Sequence, residues 1–220
     1  MTALELKAVL WDLDGTVVDS EPAWFAAELV LAERFGAQWA NQDAKSLVGA
    51  DLYDTAKVLQ AAGVDLDSET LVNALLDLVI EKVLAAESWQ PGVLEALASC
   101  REAGLDCALV SMSWRRFTSA ISDRLPGVFR VVVSGDEVSR GKPDPEAYLT
   151  AAQLLGYTPA QCIAVEDSPT GTASAVAAGI TTVAVPGLVA VPAQARVVPV
   201  SSAEQITAEW LRRVHREMAG

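Results

Sequence analysis

The 220-residue chain is 51% hydrophobic and carries a formal net charge of −13, so it can form one large core with an accessory domain but would repel nucleic acid. Its first residues lack the basic and apolar pattern of a secretory signal, and glycine and proline interrupt its longest uncharged stretch, 168–195. We therefore expect a cytoplasmic protein that has no membrane partner and is a monomer or a weak homo-oligomer.

The chain opens with a predicted strand at residues 7–12, and three helical patterns follow before the next strand. These patterns cover residues 21–36, 51–62 and 68–86. In the last of them, apolar residues recur at helical spacing from Leu71 to Leu84, and Ser68 is placed to cap the helix. Because these helices interrupt an otherwise alternating pattern, we expect residues 19–89 to form an inserted helical-bundle domain.

From residue 90 onward, short apolar or β-branched runs alternate with helical patterns. The predicted strands are 107–111, 131–134, 162–166, 181–185 and 196–200, and the predicted helices are 92–103, 114–124, 145–155 and 169–178. This alternation predicts an α/β fold with a doubly wound parallel sheet, formed by residues 1–18 and 90–220. The basic C-terminal stretch that starts at Trp210 is interpreted as a solvated helix face.

Cysteine and histidine usage excludes several kinds of chemistry. The three cysteines, Cys100, Cys107 and Cys162, include no C-x-x-C pair, which indicates buried free thiols and not a disulfide framework or a zinc site. The single histidine, His215, argues against a Ser-His-Asp triad and against a histidine-rich metal centre. Acid–base chemistry in this chain therefore falls to carboxylates or to lysine.

Acidic residues cluster where the predicted strands end. Asp12 and Asp14 follow the first strand, and they begin on the same side because side chains alternate along an extended chain. Glu166 and Asp167 end the fourth strand. Open parallel sheets bind ligands at these carboxyl ends. Carboxylates without histidine suit a hard cation, for which Mg²⁺ is the simplest choice.

Two further residues bring phosphate-binding groups to the same edge. Ser111 ends the second strand, and Lys142 follows the third strand between a glycine and a proline. A hydroxyl and an ammonium group are suited to a phosphate or another small anion. Each such residue alone is more often a cap, a turn or a solvated loop residue. Their order along successive strand ends favours a site for Mg²⁺ and phosphate.

These residues form four motifs that resemble those of the haloacid dehalogenase superfamily, in its Mg²⁺-dependent phosphatase and β-phosphoglucomutase-like branch. The motifs are DLDGT at 12–16, Ser111, Lys142 within GKPDPEAY, and EDSPTG at 166–171. The resemblance covers essentially the whole chain. It implies a Rossmann-like core, a C1-type helical cap that corresponds to the inserted domain, and Mg²⁺ as the cofactor.

The resemblance also implies a role for each motif residue. Asp12 would attack phosphorus and form an aspartyl-phosphate, while Asp14 would protonate the leaving alcohol and then activate water. Ser111, Lys142 and the amide of Met112 would bind the oxygens of the phosphoryl group.

For the metal, the resemblance implies a site built from the Asp12 carboxylate, the Asp14 backbone carbonyl and Asp167. Glu166 would lie nearby or act through water. Asp19 would anchor the chain where it leaves the core, or else cap the following helix.

Glu21 and Trp24, in the first cap helix, are candidate substrate contacts, although Trp24 suits the cap core equally well. Departures from the family pattern favour phosphatase activity. Mutase relatives carry a cap histidine where this chain has Trp24, and an arginine in the loop that corresponds to 46–54, which has none. A phosphonatase needs a lysine in the same loop, and dehalogenases lack the aspartate that this chain has at Asp14.

We expect hydrolysis of a small phosphorylated metabolite, such as a sugar phosphate. A β-phosphoglucomutase-like mutase and a catalytically silent binding module remain the alternatives.

Overall fold

The computed structural model of the chain describes residues 5–39, 47 and 51–218. The chain divides into two compact units, of which one is Met1–Val18 with Trp89–Gly220 and the other is Asp19–Ser88. The first unit contains a sheet and its flanking helices, whereas the second is helical.

The sheet of the first unit is parallel throughout. Its strands are β1 (Ala8–Trp11), β2 (Asp106–Val110), β3 (Phe129–Val133), β4 (Cys162–Glu166), β5 (Thr181–Ala184) and β6 (Val197–Pro199). They are arranged in the order β3-β2-β1-β4-β5-β6, and Leu10 of β1 lies opposite Ala108 on one side and Ala164 on the other. Because the strand order reverses between β1 and β4, their carboxyl ends border the crevice where doubly wound sheets bind ligands.

The unit Asp19–Ser88 is a helical bundle. Its helices are α1 (Glu21–Arg34), α2 (Leu52–Ala62) and α3 (Ser68–Ala86). Helix α3 packs against both α1 and α2, and Leu71, Leu75 and Val79 of its apolar stripe are fully buried. Helical periodicity predicts such a stripe, since residues three and four apart share one face. The prediction of an α/β sheet with an inserted helical domain is confirmed.

Two predicted helix caps differ in the structure. The prediction of Ser68 as a cap was wrong because Asp67 is the N-cap residue of α3, and its carboxylate accepts a hydrogen bond from a first-turn amide. Asp19 does not cap α1, since Ser20 holds that position. The Asp19 amide donates instead to the carbonyl of Ser88 at 2.7 Å. The outgoing and returning segments of the insertion therefore run side by side.

Helices cover the sheet closely enough to bury its central strand. The core helices are α4 (Val93–Glu102), α5 (Arg115–Ser122), α6 (Glu146–Leu155), α7 (Pro169–Ala177) and α8 (Ala208–Met218). All four residues of β1 are inaccessible to solvent, which requires cover on both faces. Helices α6 and α7 contribute to one apolar cluster with β1, β2 and β4, and this cluster contains the fully buried Tyr148. Among the described residues, no helix combines the length and the apolar character needed to cross a membrane.

Helix α8 has a buried side, so its interpretation as a solvated face was wrong for that side. Leu211, Val214 and His215 are buried, because their spacing of three and four residues places them on one face of the helix. A ring nitrogen of His215 lies 2.8 Å from the carbonyl oxygen of Ala160. The only histidine of the chain therefore has a structural contact in the core.

Candidate active site

Three buried carboxylates meet at the carboxyl edge of the sheet. The Asp12 amide donates to the carbonyl of Val165 in β4 at 3.0 Å. This hydrogen bond extends the pairing of β1 with β4 and holds the backbone of Asp12 in place. Carboxylate oxygens of Asp12, Glu166 and Asp167 lie within 4.8 Å of one another, and the three residues are only 6%, 0% and 3% exposed. Like charges at this depth are unfavourable unless cations neutralise them.

Lys142 supplies one of those cations. Its Nζ donates to Asp12 Oδ1 and to Glu166 Oε1, both at 2.6 Å, and to the carbonyl of Val110 at 3.0 Å. An ammonium group has three protons, and each has an acceptor here. The acceptors follow or end three neighbouring strands, β1, β2 and β4. Lys142 therefore links the ends of these strands from a side chain that is 4% exposed.

Burial and neighbouring charges have opposite effects on the pKa values of Asp12 and Lys142. Burial raises the pKa of the Asp12 carboxyl well above its ordinary value, whereas Lys142 acts to lower it. Burial alone would lower the pKa of Lys142, but the charges of Asp12 and Glu166 raise it above its ordinary range. Because three acceptors surround the ammonium group, we assign the charged form to Lys142. A second cation beside Asp12 would favour its carboxylate form.

Glu166 is held by donors at both of its oxygens. Oε1 accepts hydrogen bonds from Lys142 and from the Tyr148 hydroxyl, the latter at 2.8 Å. Oε2 accepts from the amide of Asp167 and from the amide and hydroxyl of Ser168, at 3.0–3.3 Å. The carboxylate is therefore fixed in place, and protein groups occupy much of its capacity to accept.

Two glycines leave space for the acidic groups. A Cβ at Gly171 would lie 1.7 Å from Glu166 Oε1, and a Cβ at Gly187 would lie 2.6 Å from Asp167 Oδ2, so a side chain at either position would displace a carboxylate. Thr16 Oγ1 donates to Asp167 Oδ1 at 3.1 Å and orients it. A set of carboxylate oxygens without nitrogen or sulfur ligands is what a hard divalent cation prefers. The residues present fit such a metal ion.

Two serines at the end of β2 bind the carboxylate of Asp14. Ser111 Oγ donates to Asp14 Oδ2 at 3.1 Å, and Ser113 Oγ donates to the same oxygen at 2.7 Å. The Ser113 amide in turn donates to Ser111 Oγ at 2.9 Å. Sequence reasoning missed Ser113. The available signal was its spacing of two residues from Ser111, which places both hydroxyls on one side of an extended chain.

The loops after β2 and β3 meet around Lys142. The Lys142 amide donates to Met112 Sδ at 3.2 Å, so Met112 contacts the backbone of the lysine through its side chain. Lys142 Nζ lies 5.0 Å from the centre of the Tyr148 ring. Sequence reasoning also missed a role for Tyr148. Nothing in the segment GKPDPEAY indicates that its last residue, Tyr148, lies beside its lysine, Lys142.

The predicted cap residues lie in the other unit. Glu21 and Trp24 are half-buried residues of α1, and their role as substrate contacts stays a prediction. In the stretch 46–54, residues 46 and 48–50 lie outside the described residues. Asp51 is the N-cap of α2, where its carboxylate accepts from the Tyr53 amide at 2.8 Å.

Comparisons with known proteins agree with this arrangement. The family model described as "Haloacid dehalogenase-like hydrolase" matches residues 9–185. Hexitol phosphatase A of Escherichia coli (strain K12) is 35% identical over 190 residues, which cover 83% of this chain and 84% of that protein. The N-acetylmuramic acid 6-phosphate phosphatase of Pseudomonas aeruginosa is 34% identical over 191 residues, covering 84% of each chain.

A solved structure shows the same fold. The crystal structure of β-phosphoglucomutase from Clostridium difficile matches with a TM-score of 0.81 at 18% sequence identity, covering 96% of this chain and 98% of that chain. At this identity the likeness concerns the fold alone. The family indicated by the four motifs is confirmed by the match over residues 9–185, and the chain belongs to the haloacid dehalogenase-like hydrolases.

Proposed function

We propose that this chain is a Mg²⁺-dependent phosphatase that hydrolyses a small phosphate monoester of the sugar-phosphate class through an aspartyl-phosphate. The observation that carries the proposal is the 2.6 Å contact of Lys142 Nζ with Asp12 Oδ1, beside a buried acidic cluster able to hold a metal ion. Phosphoryl transfer depends mainly on positioning and on neutralising charge. Relatives named as phosphatases of a hexitol phosphate and an amino-sugar phosphate support the substrate class.

Asp12 is the proposed nucleophile. One of its carboxylate oxygens would form a bond to phosphorus while the bond from phosphorus to the ester oxygen breaks. Lys142 reduces the repulsion between the carboxylate and the incoming phosphate because its ammonium group lies against Asp12. In a site this buried, the attraction between lysine and phosphoryl oxygens is stronger than it would be in water.

Asp14 is the proposed acid and base. It would give a proton to the departing alcohol and then take one from the water that hydrolyses the aspartyl-phosphate. The proton is returned in each cycle, so the net reaction consumes one ester and one water and releases an alcohol and phosphate. Ser111, Lys142 and the amide of Met112 are the proposed ligands of the phosphoryl oxygens.

The proposed metal ligands are the Asp12 carboxylate, Asp167 and the backbone carbonyl of Asp14. Bound there, Mg²⁺ would neutralise negative charge on the phosphoryl oxygens. Glu166 already accepts from five protein donors. We therefore assign it mainly to holding Lys142, with any contribution to the metal site made through water.

The test is phosphate release from a panel of hexitol phosphates, sugar phosphates, an N-acetylamino-sugar 6-phosphate, phosphoglycolate and nucleotides. Each is assayed with Mg²⁺ and with a chelator, for the wild type, Asp12→Asn and the control Asp123→Asn, whose side chain is exposed. We expect Mg²⁺-dependent turnover that Asp12→Asn lowers by about 10³-fold or more and that the control retains.

Three outcomes would contradict the proposal. Turnover that survives both the chelator and Asp12→Asn would exclude this site. Conversion that needs a sugar bisphosphate and releases little phosphate would identify a mutase. If the chain neither releases phosphate from any ester nor converts a sugar phosphate in the presence of a sugar bisphosphate, the catalytically silent binding module is the remaining alternative.

A further inference from the structure

We infer that Ser113 is a positioning residue for the acid–base step, since it holds and orients the Asp14 carboxyl group, and this inference rests on the proposed function. Ser113 Oγ donates to Asp14 Oδ2 at 2.7 Å. The serine is 6% exposed, so water competes little for its hydroxyl. This is the shorter of the two serine hydrogen bonds to that oxygen.

The two serines cannot serve Asp14 equally during the reaction. Each hydroxyl has a single proton to donate. Ser111 is a proposed ligand of the phosphoryl group, so its proton would turn from Asp14 to a phosphoryl oxygen when substrate binds. The proposed function gives Ser113 no phosphoryl oxygen to bind. Its hydroxyl can therefore keep donating to Asp14 Oδ2 when substrate is bound.

A donor at Oδ2 also limits how the Asp14 carboxyl group can turn. Rotation of that group away from Ser113 would break the 2.7 Å hydrogen bond to Oδ2. Ser113 thus orients the acid for delivery of its proton. It does not touch the reacting atoms itself.

The backbone around Ser113 is fixed by two loops. Its amide donates to Ser111 Oγ at 2.9 Å, and its carbonyl accepts from the Gly135 amide at 3.0 Å. A Cβ at Gly135 would lie 2.0 Å from the Met112 carbonyl oxygen, so glycine is required for this close approach. The loop after β3 therefore holds the Ser111–Ser113 segment in the geometry that aims both hydroxyls at Asp14.

The test compares two esters whose leaving groups differ in their need for a proton. 4-Nitrophenyl phosphate releases a stable phenolate, whereas a hexitol 6-phosphate releases an alkoxide that must be protonated. The measured quantity is kcat/KM, because it covers the steps up to aspartyl-phosphate formation and excludes the shared hydrolysis of that intermediate. We expect Ser113→Ala to lower kcat/KM for the hexitol phosphate at least about tenfold more than for the nitrophenyl ester.

Further variants separate positioning from folding. Ser113→Thr keeps the hydroxyl, so we expect it to restore the ratio of the two kcat/KM values. Ser99→Ala, in α4, removes a serine whose Oγ accepts the Ala208 amide at 3.0 Å and should leave the ratio unchanged. If Ser113→Ala does not fold, Ser113→Cys retains the size with a weaker donor and should shift the ratio in the same direction.

Equal losses for both esters, or no loss for either, in a folded Ser113 variant would overturn the inference while the proposed function stands. A wild-type chain without Mg²⁺-dependent turnover of any ester would overturn both. The wild-type measurement therefore distinguishes the two failures.

Discussion

Lys142 illustrates how one side chain can stabilise a buried acidic cluster and also have a role in the proposed chemistry. Its ammonium group is the partner of two buried carboxylates, Asp12 and Glu166. Removing one member of a buried ion pair leaves an uncompensated charge, which costs more than the intact pair contributes. Tyr148 adds a neutral donor to Glu166 at 2.8 Å, but it cannot replace the positive charge.

We predict that Lys142→Met abolishes phosphatase activity and destabilises the protein by about 3–5 kcal/mol. The cause is that Asp12 and Glu166 lose their shared cation while they stay buried. The free energy of unfolding in urea measures the effect, with Lys82→Met, at an exposed position of α3, as the control.

Adding Glu166→Gln to Lys142→Met should recover part of the stability, since one uncompensated charge is removed. Equal stability of Lys142→Met and the wild type would contradict the assignment of a charged, buried lysine.

Helix α1 contains a carboxyl group that its surroundings keep from ionising readily. Glu28 is 3% exposed, and no partner for its Oε2 is found among the described residues. Burial raises the pKa of Glu28 to about 7, although the Trp39 side chain acts to lower it. The folded helical unit therefore favours the neutral form of this residue more than the unfolded chain does.

The consequence is a pH-dependent stability whose sign follows from the raised pKa. The contribution of Glu28 is complete below its ordinary value of 4.5 and is lost as the pH rises through about 7. Relative to Glu28→Gln, the wild type should lose up to roughly 3 kcal/mol of unfolding free energy over that range. Urea unfolding at pH 4.5–8 checks this, with the exposed Glu33→Gln as the control. A difference that is constant with pH would show that Glu28 ionises normally.

Prediction from sequence succeeded for elements whose signals are local. Apolar runs and helical periodicity identified strands such as β1 and helices such as α3, because both patterns reflect burial along a single segment. The cap of α3 was assigned one residue too late, since Asp67 and Ser68 are both good N-cap residues and only the backbone decides between them. The buried side of α8 was missed because basic residues dominate its composition.

The sequence predicted the positions of the site residues that belong to the four motifs. Asp12, Lys142 and Glu166 were expected at one sheet edge because parallel strands end together. The donors Ser113 and Tyr148 were not foreseen, since each meets its acceptor only after segments that are separate in the sequence come together. The spacing of Ser113 from Ser111 indicates a shared side of the chain but not the acceptor on that side.

At the scale of the whole molecule, a net charge of −13 is combined with an internal cluster of acids. A cation that binds only the folded chain stabilises it by RT ln(1 + [L]/Kd), which is about 2.7 kcal/mol at a concentration of 100 Kd. We predict that Mg²⁺ raises the free energy of unfolding of the wild type and of Asp123→Asn, but not that of Asp167→Asn.

Without Mg²⁺, the same experiment should give the opposite order of stability for Asp167→Asn and the wild type. Asp167→Asn removes one of three crowded charges, so in the presence of a chelator the variant should be at least as stable as the wild type. Saturating Mg²⁺ should reverse the order. A variant that is less stable by the same amount in both conditions would indicate that Asp167 matters through its contact with Thr16 and not through a metal ion.

The side-by-side path of the insertion's two ends has a kinetic consequence. Pairing of Leu10 with Ala108 closes a long loop, and loop closure costs more entropy as the loop lengthens. If Asp19–Ser88 folds first, its ends are already joined by the 2.7 Å hydrogen bond from Asp19 to Ser88. The loop that remains is then much shorter, which saves about 1 kcal/mol of closure entropy. Early folding of the inserted bundle would therefore lower the entropic cost of pairing β1 with β2.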